Sequence, residues 1–577
     1  MVPMHVALIE QDRMVVQLVS QYLLEAGHTL NEMGPNLKAL EETMHDLVIC
    51  DFQAQTSEGC LFYAELRAHP SLSGLPCLLI APRVTAQDVQ LVRKDPLSSL
   101  LIKPFTRTVF DDALHRCLKQ SLIRNIPSPN IPPSSTSAVD IVFDWREDME
   151  AIQKLHQRIR GQLVIDPQSL YQSKIKEHPD TDKKALRQQL INLILLKSVT
   201  LIERDTATQQ LLLDHCRKNN VLEVETFADG LEALDHLKAK GSSLVIMDWH
   251  PEGLSGLALY NRIRESDVLQ KTPILIVAND TETAKVEALL VEDLHVGILT
   301  KPLQPKKLQE TILVLMAASI SADDIDGALY HALGRATSPR LLHDLVHDFC
   351  ERLPSMKLHL INFLQTLLRK QRLAEAEQFG LILLERQEFS IPAATVLAKI
   401  YHLKQRPDAA ANILRYITAL APHRLDRLLL AAEEELSLFR PKRAENYIVQ
   451  AAKIDADHVR VKAAAFLADI VAKHQAGQVK EGAAPLKNLA SVLNTVGVTL
   501  AQSGQAGDAE RYYTSALLFV VDRMDQARLT YNLALCYLRL GDKDKAQQFF
   551  FEADRLADGQ LPKAQSHLQK LGEQNES

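Results

Sequence analysis

Two aspartates at the ends of short apolar runs are the residues best placed to do chemistry. HDLVICDFQAQTSEG carries Asp51 with Gly59 eight residues on, and SSLVIMDWHPEGLSG carries Asp248 with Gly256 eight residues on. HVALIEQD and SVTLIERD each end an apolar run in a glutamate, Glu10 or Glu203, followed by Gln11 or Arg204 and then Asp12 or Asp205. LPCLLIA and TPILIVA end at Ala81 and Ala278, each thirty residues after its Asp. Both sets close on Lys-Pro, at Lys103-Pro104 and Lys301-Pro302. A carboxylate nucleophile needs nearby positive charge if it is to accept an anionic group, because that charge offsets what develops in transfer.

The Asp, the Ala and the Lys-Pro recur at an offset close to 197 residues, which marks the duplication of a whole domain. Within each copy, short β-branched apolar runs alternate with helix-period stretches such as VVQLVSQYLLEAG and CLFYAELRAH. That alternation predicts a doubly wound α/β domain with a parallel sheet. In such sheets, chemistry sits outside the carboxyl ends of the strands. The residues at those ends are Glu10, Asp51, Ala81 and Lys103 in one copy, and Glu203, Asp248, Ala278 and Lys301 in the other. Two carboxylates and a lysine therefore converge on one edge of each sheet.

On these residues, together with the FADGLEAL phrase at 227–234, both copies resemble the flavodoxin-like receiver domains of bacterial two-component response regulators. The resemblance covers residues 4–122 and 197–318. It implies that Asp51 and Asp248 are phosphoacceptor positions, taking a phosphoryl group from a phosphohistidine of a sensor histidine kinase. It implies further that two acids after the first strand hold Mg²⁺, that a Ser or Thr after the fourth strand contacts the phosphoryl oxygen, and that Lys103 or Lys301 senses it.

Several positions depart from that pattern. The second Mg²⁺ acid is Gln11 in the first copy and Arg204 in the second, and Asp12 and Asp205, one place on, are expected to point elsewhere. The hydroxyl position is Ala81 or Ala278. The aromatic a few residues before the lysine is replaced by Leu100 or a neighbour, and by Val296 or a neighbour. Gln11 keeps an oxygen, so a weak Mg²⁺ site at Glu10 and Asp51 is expected in the first copy. Arg204 puts a guanidinium where metal would sit, and a bidentate pair with Asp248 follows from its shape. The second copy is thus expected to be a degenerate pseudo-receiver in which Mg²⁺ is doubtful, Asp248 being a salt-bridged strand-end acid. With no hydroxyl at Ala81, the Lys103 pairing would carry most of any conformational response to phosphate.

Residues 123–196 begin with IPSPNIPPSSTSA, a Pro/Ser-rich linker, and continue into two helices that could pack on the second receiver or form a homodimer seam. From 325 to 570 the chain turns Ala/Leu-rich with a 34-residue period: Leu364, Ala398 and Ala432 are one step apart, as are Ala376, Ala410 and Ala444, and Leu383, Ile417 and Ala451. Gly497, Ala509 and Ala516 keep the same internal offsets, as do Ala534, Ala546 and Ala553. Small residues at fixed offsets let paired helices approach and stack into a superhelix. These stretches resemble tetratricopeptide repeats, with Tyr401, Pro422, Tyr537 and Phe550 at family positions. The span 455–490 fits poorly, as a distorted repeat or loop. Such a surface is expected to capture a peptide or helix of another protein.

Composition narrows the class. A length of 577 residues exceeds one hydrophobic core, and a net charge of −7 provides no basic field for nucleic acid. Seven scattered cysteines lack metal-ligand spacing and are expected to be reduced cytoplasmic thiols. No apolar run is long enough to span a bilayer. No nucleophile triad or Gly-rich cofactor loop points to an enzyme. The expectation is a phosphorelay regulator acting through protein binding at its repeats. The alternatives are a phosphate-independent adaptor and an inhibitor that occupies a sensor kinase.

Overall fold

The computed structural model describes residues 4–125 and 197–575, apart from 27, 44, 53–57, 96, 219–220, 291, 336–338, 387–389, 439, 479–488, 503–505 and 521, with a few more between 149 and 157. The expected linker and paired helices of 126–196 fall almost wholly outside the described residues. The chain divides into two compact units, one of residues 1–127 with 397–577 and the other of residues 128–396.

In the first unit, the strands are β1 (His5–Ile9), β2 (Thr29–Glu32), β3 (Leu47–Asp51), β4 (Cys77–Ala81) and β5 (Ser98–Ile102). They alternate with α1 (Arg13–Glu25), α2 (Leu37–Glu42), α3 (Glu58–Ala68), α4 (Ala86–Lys94) and α5 (Arg107–Asn125). The sheet is parallel in the order β2-β1-β3-β4-β5. β4 is buried throughout and β3 at every residue but Asp51, whereas the edge strand β2 is mostly exposed. A central parallel strand is covered on both faces and needs unbroken apolar sequence, while an edge strand tolerates polar residues.

The second unit repeats this design with β6 (Ser198–Ile202), β7 (Glu223–Phe227), β8 (Leu244–Asp248), β9 (Ile274–Ala278) and β10 (Val296–Thr300) in the parallel order β7-β6-β8-β9-β10. Its helices are α6 (Thr206–Lys218), α7 (Gly230–Lys240), α8 (Gly256–Glu265), α9 (Thr283–Leu290) and α10 (Pro305–Arg335). Val245 and Met247 pack on one face of the sheet, and Leu244 and Ile246 on the other, so one strand feeds two cores.

Each sheet carries a clamp that sequence reasoning missed. Arg67 Nε reaches Asp95 at 2.5 Å, its Nη1 donates to the carbonyls of Ser73 and Leu75, and Tyr63 donates to the same Asp95 at 2.7 Å. In the second unit, Arg264 Nε reaches Asp293 at 2.5 Å, its Nη1 donates to the Thr272 carbonyl and its Nη2 to that of His295, and Tyr260 donates to Asp293 at 3.0 Å. Arg67 and Arg264 stand at the same 197-residue offset as Asp51 and Asp248. The duplication therefore extends to the packing of the third helix of each domain against the loop before its last strand.

The helices that follow are α11 (Pro339–Arg352), α12 (Leu358–Arg369) and α13 (Leu373–Glu385), then α14 (Ser390–Leu403), which crosses the unit boundary. The first unit takes up α15 (Pro407–Leu420), α16 (Leu425–Ser437), α17 (Pro441–Asp455), α18 (Val459–Gln478), α19 (Leu489–Gln502), α20 (Ala506–Phe519), α21 (Arg523–Leu540), α22 (Lys543–Leu556) and α23 (Pro562–Asn575). The small and apolar positions of the 34-residue period are buried, Ala376, Ala410, Ala444, Ala509, Ala534 and Ala546 among them. The turn between paired helices repeats at the same step. Gln371, Gln405 and Gly541 are left-handed (φ 58°, 54° and 81°), and Arg372, Arg406 and Asp542 donate back to Leu367, Tyr401 and Tyr537 carbonyls.

α10 runs unbroken across 318–325, where the second receiver was expected to end and the repeats to begin, and Asp326 on it accepts from Asn362 and Thr366 of α12. The single helical domain expected over 325–570 is shared between the two units. The poorly fitting span holds one 20-residue helix, Val459–Gln478.

Candidate functional site

At the carboxyl edge of the first sheet, Lys103 Nζ donates to Glu10 Oε2 at 2.7 Å and to Asp51 Oδ1 at 3.1 Å. The second sheet repeats the arrangement: Lys301 Nζ stands 3.0 Å from Glu203 Oε2 and 3.0 Å from Asp248 Oδ1. Strand register explains the convergence. β1 and β4 flank β3, and β5 pairs with β4, so the carboxyl ends of the four strands lie side by side. The lysine that follows the last strand is held there because its own amide donates to the carbonyl of Ala81, or of Ala278 in the second copy. Both Lys-Pro bonds are cis.

Burial pulls both lysine ammoniums down, but hydrogen bonds to Glu10 and Asp51, or to Glu203 and Asp248, outweigh it and leave both pKa values raised. Each lysine is therefore a fixed cation. The glutamates are tied again by backbone: the amides of Gln11 and Asp12 donate to Glu10 Oε1 at 3.0 Å, and the amide of Asp205 to Glu203 Oε1 at 2.9 Å.

Asp12 and Asp205 do point elsewhere. Asp12 caps α1 by accepting from Met14 N at 2.9 Å, and Asp205 accepts from Thr208 N at 2.8 Å. Gln11 is exposed. The expected Arg204–Asp248 pair is not formed: Arg204 is exposed, and the partner of Asp248 is Lys301. The lysine already neutralises the acid from inside the strand edge, so a flexible guanidinium gains more from hydration. Ala81 and Ala278 are buried at their strand ends.

The two sites differ in access. The Asp51 side chain is 22% exposed and that of Asp248 is 8%. Beyond Asp248, the loop is pinned to the 227–230 segment by Gly230 N to Glu252 O (2.8 Å) and Glu252 N to Ala228 O (3.0 Å). Gly253, at φ 72°, lies where a Cβ would strike the Asp229 carboxylate, and a Cβ on Gly256 would meet the Trp249 carbonyl at 2.4 Å. His250 and Glu282 then join that loop to the one after β9. The loop at 53–57 in the first copy lies outside the described residues.

Mg²⁺ asks for near-octahedral oxygen ligation and accepts one or two carboxylates, with water and phosphate filling the rest. Glu10 and the half-buried Asp51 supply two carboxylates at the first site, but Glu10 is 2% exposed and both its oxygens are already engaged, one by Lys103 and the other by two backbone amides. The second site shares the buried glutamate and the capping aspartate, and differs in that Asp248 is 8% exposed on Lys301 and Arg204 brings a cation instead of an oxygen donor. Among the described residues, no group of three or more His, Cys, Asp or Glu side chains could hold a metal.

Comparison with known proteins matches two segments of the chain. Residues 199–313 match the response regulator receiver domain, and residues 527–558 match a tetratricopeptide repeat. The chain is similar to transcription factor SKN7 of Saccharomyces cerevisiae, with 29% identity over 138 residues, 23% of this chain and 21% of SKN7. It is also similar to the two-component response regulator ARR15 of Arabidopsis thaliana, with 24% identity over 123 residues, 19% of this chain and 59% of ARR15. The chain thus spans about a fifth of SKN7 and under two thirds of ARR15. Among solved structures, YrrB, a tetratricopeptide-repeat protein with an unusual peptide-binding site, aligns at 15% identity and a TM-score of 0.22, over 39% of this chain and 97% of YrrB. The chain therefore carries a response-regulator receiver domain and a tetratricopeptide repeat. Among the described residues, no helix is long and apolar enough to cross a membrane.

Proposed function

We propose that this chain is a non-enzymatic two-component signalling regulator with tandem receivers, in which Asp51 accepts a phosphoryl group and the tetratricopeptide repeats bind another protein. The observation that carries this reading is the Glu10–Lys103–Asp51 set, with Asp51 the more exposed of the two acceptor acids. In the transfer, an Asp51 carboxylate oxygen forms a bond to phosphorus as the P–N bond to the histidine of a sensor kinase breaks. The imidazole departs with a proton. Glu10 and Asp51 are the residues that would hold Mg²⁺, which would supply positive charge against the phosphoryl oxygens.

Lys103 is the chain's own switch element. Its ammonium is shared between Glu10 and Asp51 before transfer, and a phosphoryl group on Asp51 offers it a stronger partner. With only Ala81 at the hydroxyl position, that exchange is the main difference phosphate makes. The proposed partners are a sensor histidine kinase at the Asp51 edge and a protein ligand on the repeats.

The second site favours a different role. Asp248 is nearly buried, its loop is pinned, and Lys301 already satisfies it, so the second domain acts as a pseudo-receiver, a docking body without phosphate turnover. If Asp51 behaved likewise, the protein would be an adaptor or would occupy a kinase without relieving it of phosphate. The test is Mg²⁺-dependent labelling of the full chain by a radiolabelled small-molecule phosphodonor, alongside Asp51→Asn and Asp248→Asn. Loss of label in Asp51→Asn alone supports the assignment; an unlabelled wild-type chain refutes it and leaves the adaptor.

A further inference from the structure

The amino-terminal edge of the first sheet, opposite Asp51, is also occupied by charge. Asp46 immediately precedes β3, and its side chain is 8% exposed. Its Oδ2 accepts from His5 N at 2.9 Å, which fixes it to β1. Its Oδ1 faces two arginines of the repeats in the same unit, Arg415 Nε of α15 at 3.5 Å and Arg443 Nη2 of α17 at 3.7 Å. Both guanidiniums are largely covered, at 18% and 15% exposure. A small cavity lined in part by Met4, Asn446 and Tyr447 opens beside the three charges, and α5 packs along α15.

Charge explains why the repeats hold this edge. On the repeat side, Arg415, Arg440 and Arg443 gather around one carboxylate, Glu435, which lies 3.7 Å from Arg440. That leaves a fixed cationic patch, and Asp46 is the acid that meets it. Burial pulls the Arg415 guanidinium down, but the Asp46 charge leads the attractions that leave its pKa raised. The attraction is one of charge, since neither Asp46 Oδ1 nor Arg415 Nε has a hydrogen-bond partner, and in so covered a place it is little weakened by salt.

We propose that Asp46 is a latch that docks the first receiver in cis on the α15–α17 face of the repeats, at the sheet edge opposite Asp51. The partner of α5 and of the sheet's amino edge is then this chain's own repeat array and not a second copy. β3 runs from the latch to Asp51 in one strand of five residues, so the receiver can be docked and modified at once. The latch does not depend on whether Asp51 is phosphorylated, and it is tested on the unmodified protein.

The test is amide hydrogen exchange on the full chain, wild type against Arg443→Ala, Arg415→Ala and Asp46→Asn. Asp46→Asn keeps an acceptor for His5 N. Exchange in α5 and α15 is expected to rise ~10-fold, with β3 and β4 unchanged. The swap of Asp46→Arg with Arg443→Asp is expected to restore part of the protection. Unchanged exchange in α5 and α15 would overturn the latch. So would a rise spread equally over β3 and β4, since the arginines would then support the receiver's core and not a dock. Protection of α5 that grows with protein concentration would assign that face to a second copy and overturn it too.

Discussion

Lys301 Nζ lies 3.0 Å from Asp248 Oδ1, so the cation that satisfies this strand-end acid is the strand-end lysine and not Arg204. The same ammonium reaches Glu203, whose side chain is 1% exposed. Replacing Lys301 by Met leaves two buried carboxylates side by side. The second receiver should lose about 1–3 kcal/mol at pH 7.5. Arg204→Ala should cost under ~0.5 kcal/mol. Hydrogen exchange of β6 and β8 in the full chain measures both.

Arg264 offers a second test. Its side chain is 6% exposed and joins Asp293 to backbone carbonyls on two loops. A lysine supplies the charge but not the planar fork, so Arg264→Lys should cost about 2–4 kcal/mol, nearly as much as Arg264→Ala. Equal stability of Arg264→Lys and wild type, by hydrogen exchange in β9 and β10, would show that charge alone suffices.

How far the sequence reaches is visible in these two residues. The strand ends Glu10, Asp51, Ala81 and Lys103, and their second-copy counterparts, were legible because apolar runs and fixed spacing report where parallel strands stop. The turning away of Asp12 and Asp205 was legible because an acid just before a helix caps it. Arg204 was misplaced because adjacency in sequence says nothing about competition, and Lys301, almost a hundred residues on, wins that contest. The Arg67 and Arg264 clamps and the Asp46 latch were not legible for a related reason. Each joins single charged residues over long separations, with no periodicity to announce them. The unbroken α10 and the division of the repeats depend on which helix faces meet, which Ala/Leu patterning leaves open.

His295 sets a pH dependence in the second receiver. Burial lowers its pKa to about 4, with Arg264, Lys271 and Arg369 acting in the same direction and Asp293 against it. Its Nδ1 meets the Ser319 hydroxyl. The folded pKa lies below the ordinary value of 6.5, so the folded state binds fewer protons than the unfolded state between the two. Its stability contribution is present above pH 6.5 and is lost as the pH falls toward 4. The loss should approach ~2–3 kcal/mol, and His295→Asn should flatten the slope. Exchange-derived stability of β10 across that range is the measurement.

Gly497 tests the repeats. A Cβ there would come 2.4 Å from the ring of Tyr513, which is 1% exposed and cannot swing into solvent. Gly497→Ala should destabilise the C-terminal helices by about 1–3 kcal/mol, despite alanine's better helix propensity. Gly507→Ala, where a Cβ meets nothing, should be neutral or slightly stabilising. Thermal unfolding of the two variants should separate them.

The account turns on which aspartate carries phosphate. After Mg²⁺-dependent labelling, borohydride reduction converts an acyl phosphate at aspartate to homoserine, which peptide mass spectrometry locates. Homoserine at 51 with aspartate intact at 248 is the predicted result. Homoserine at 248 with aspartate intact at 51 would contradict it.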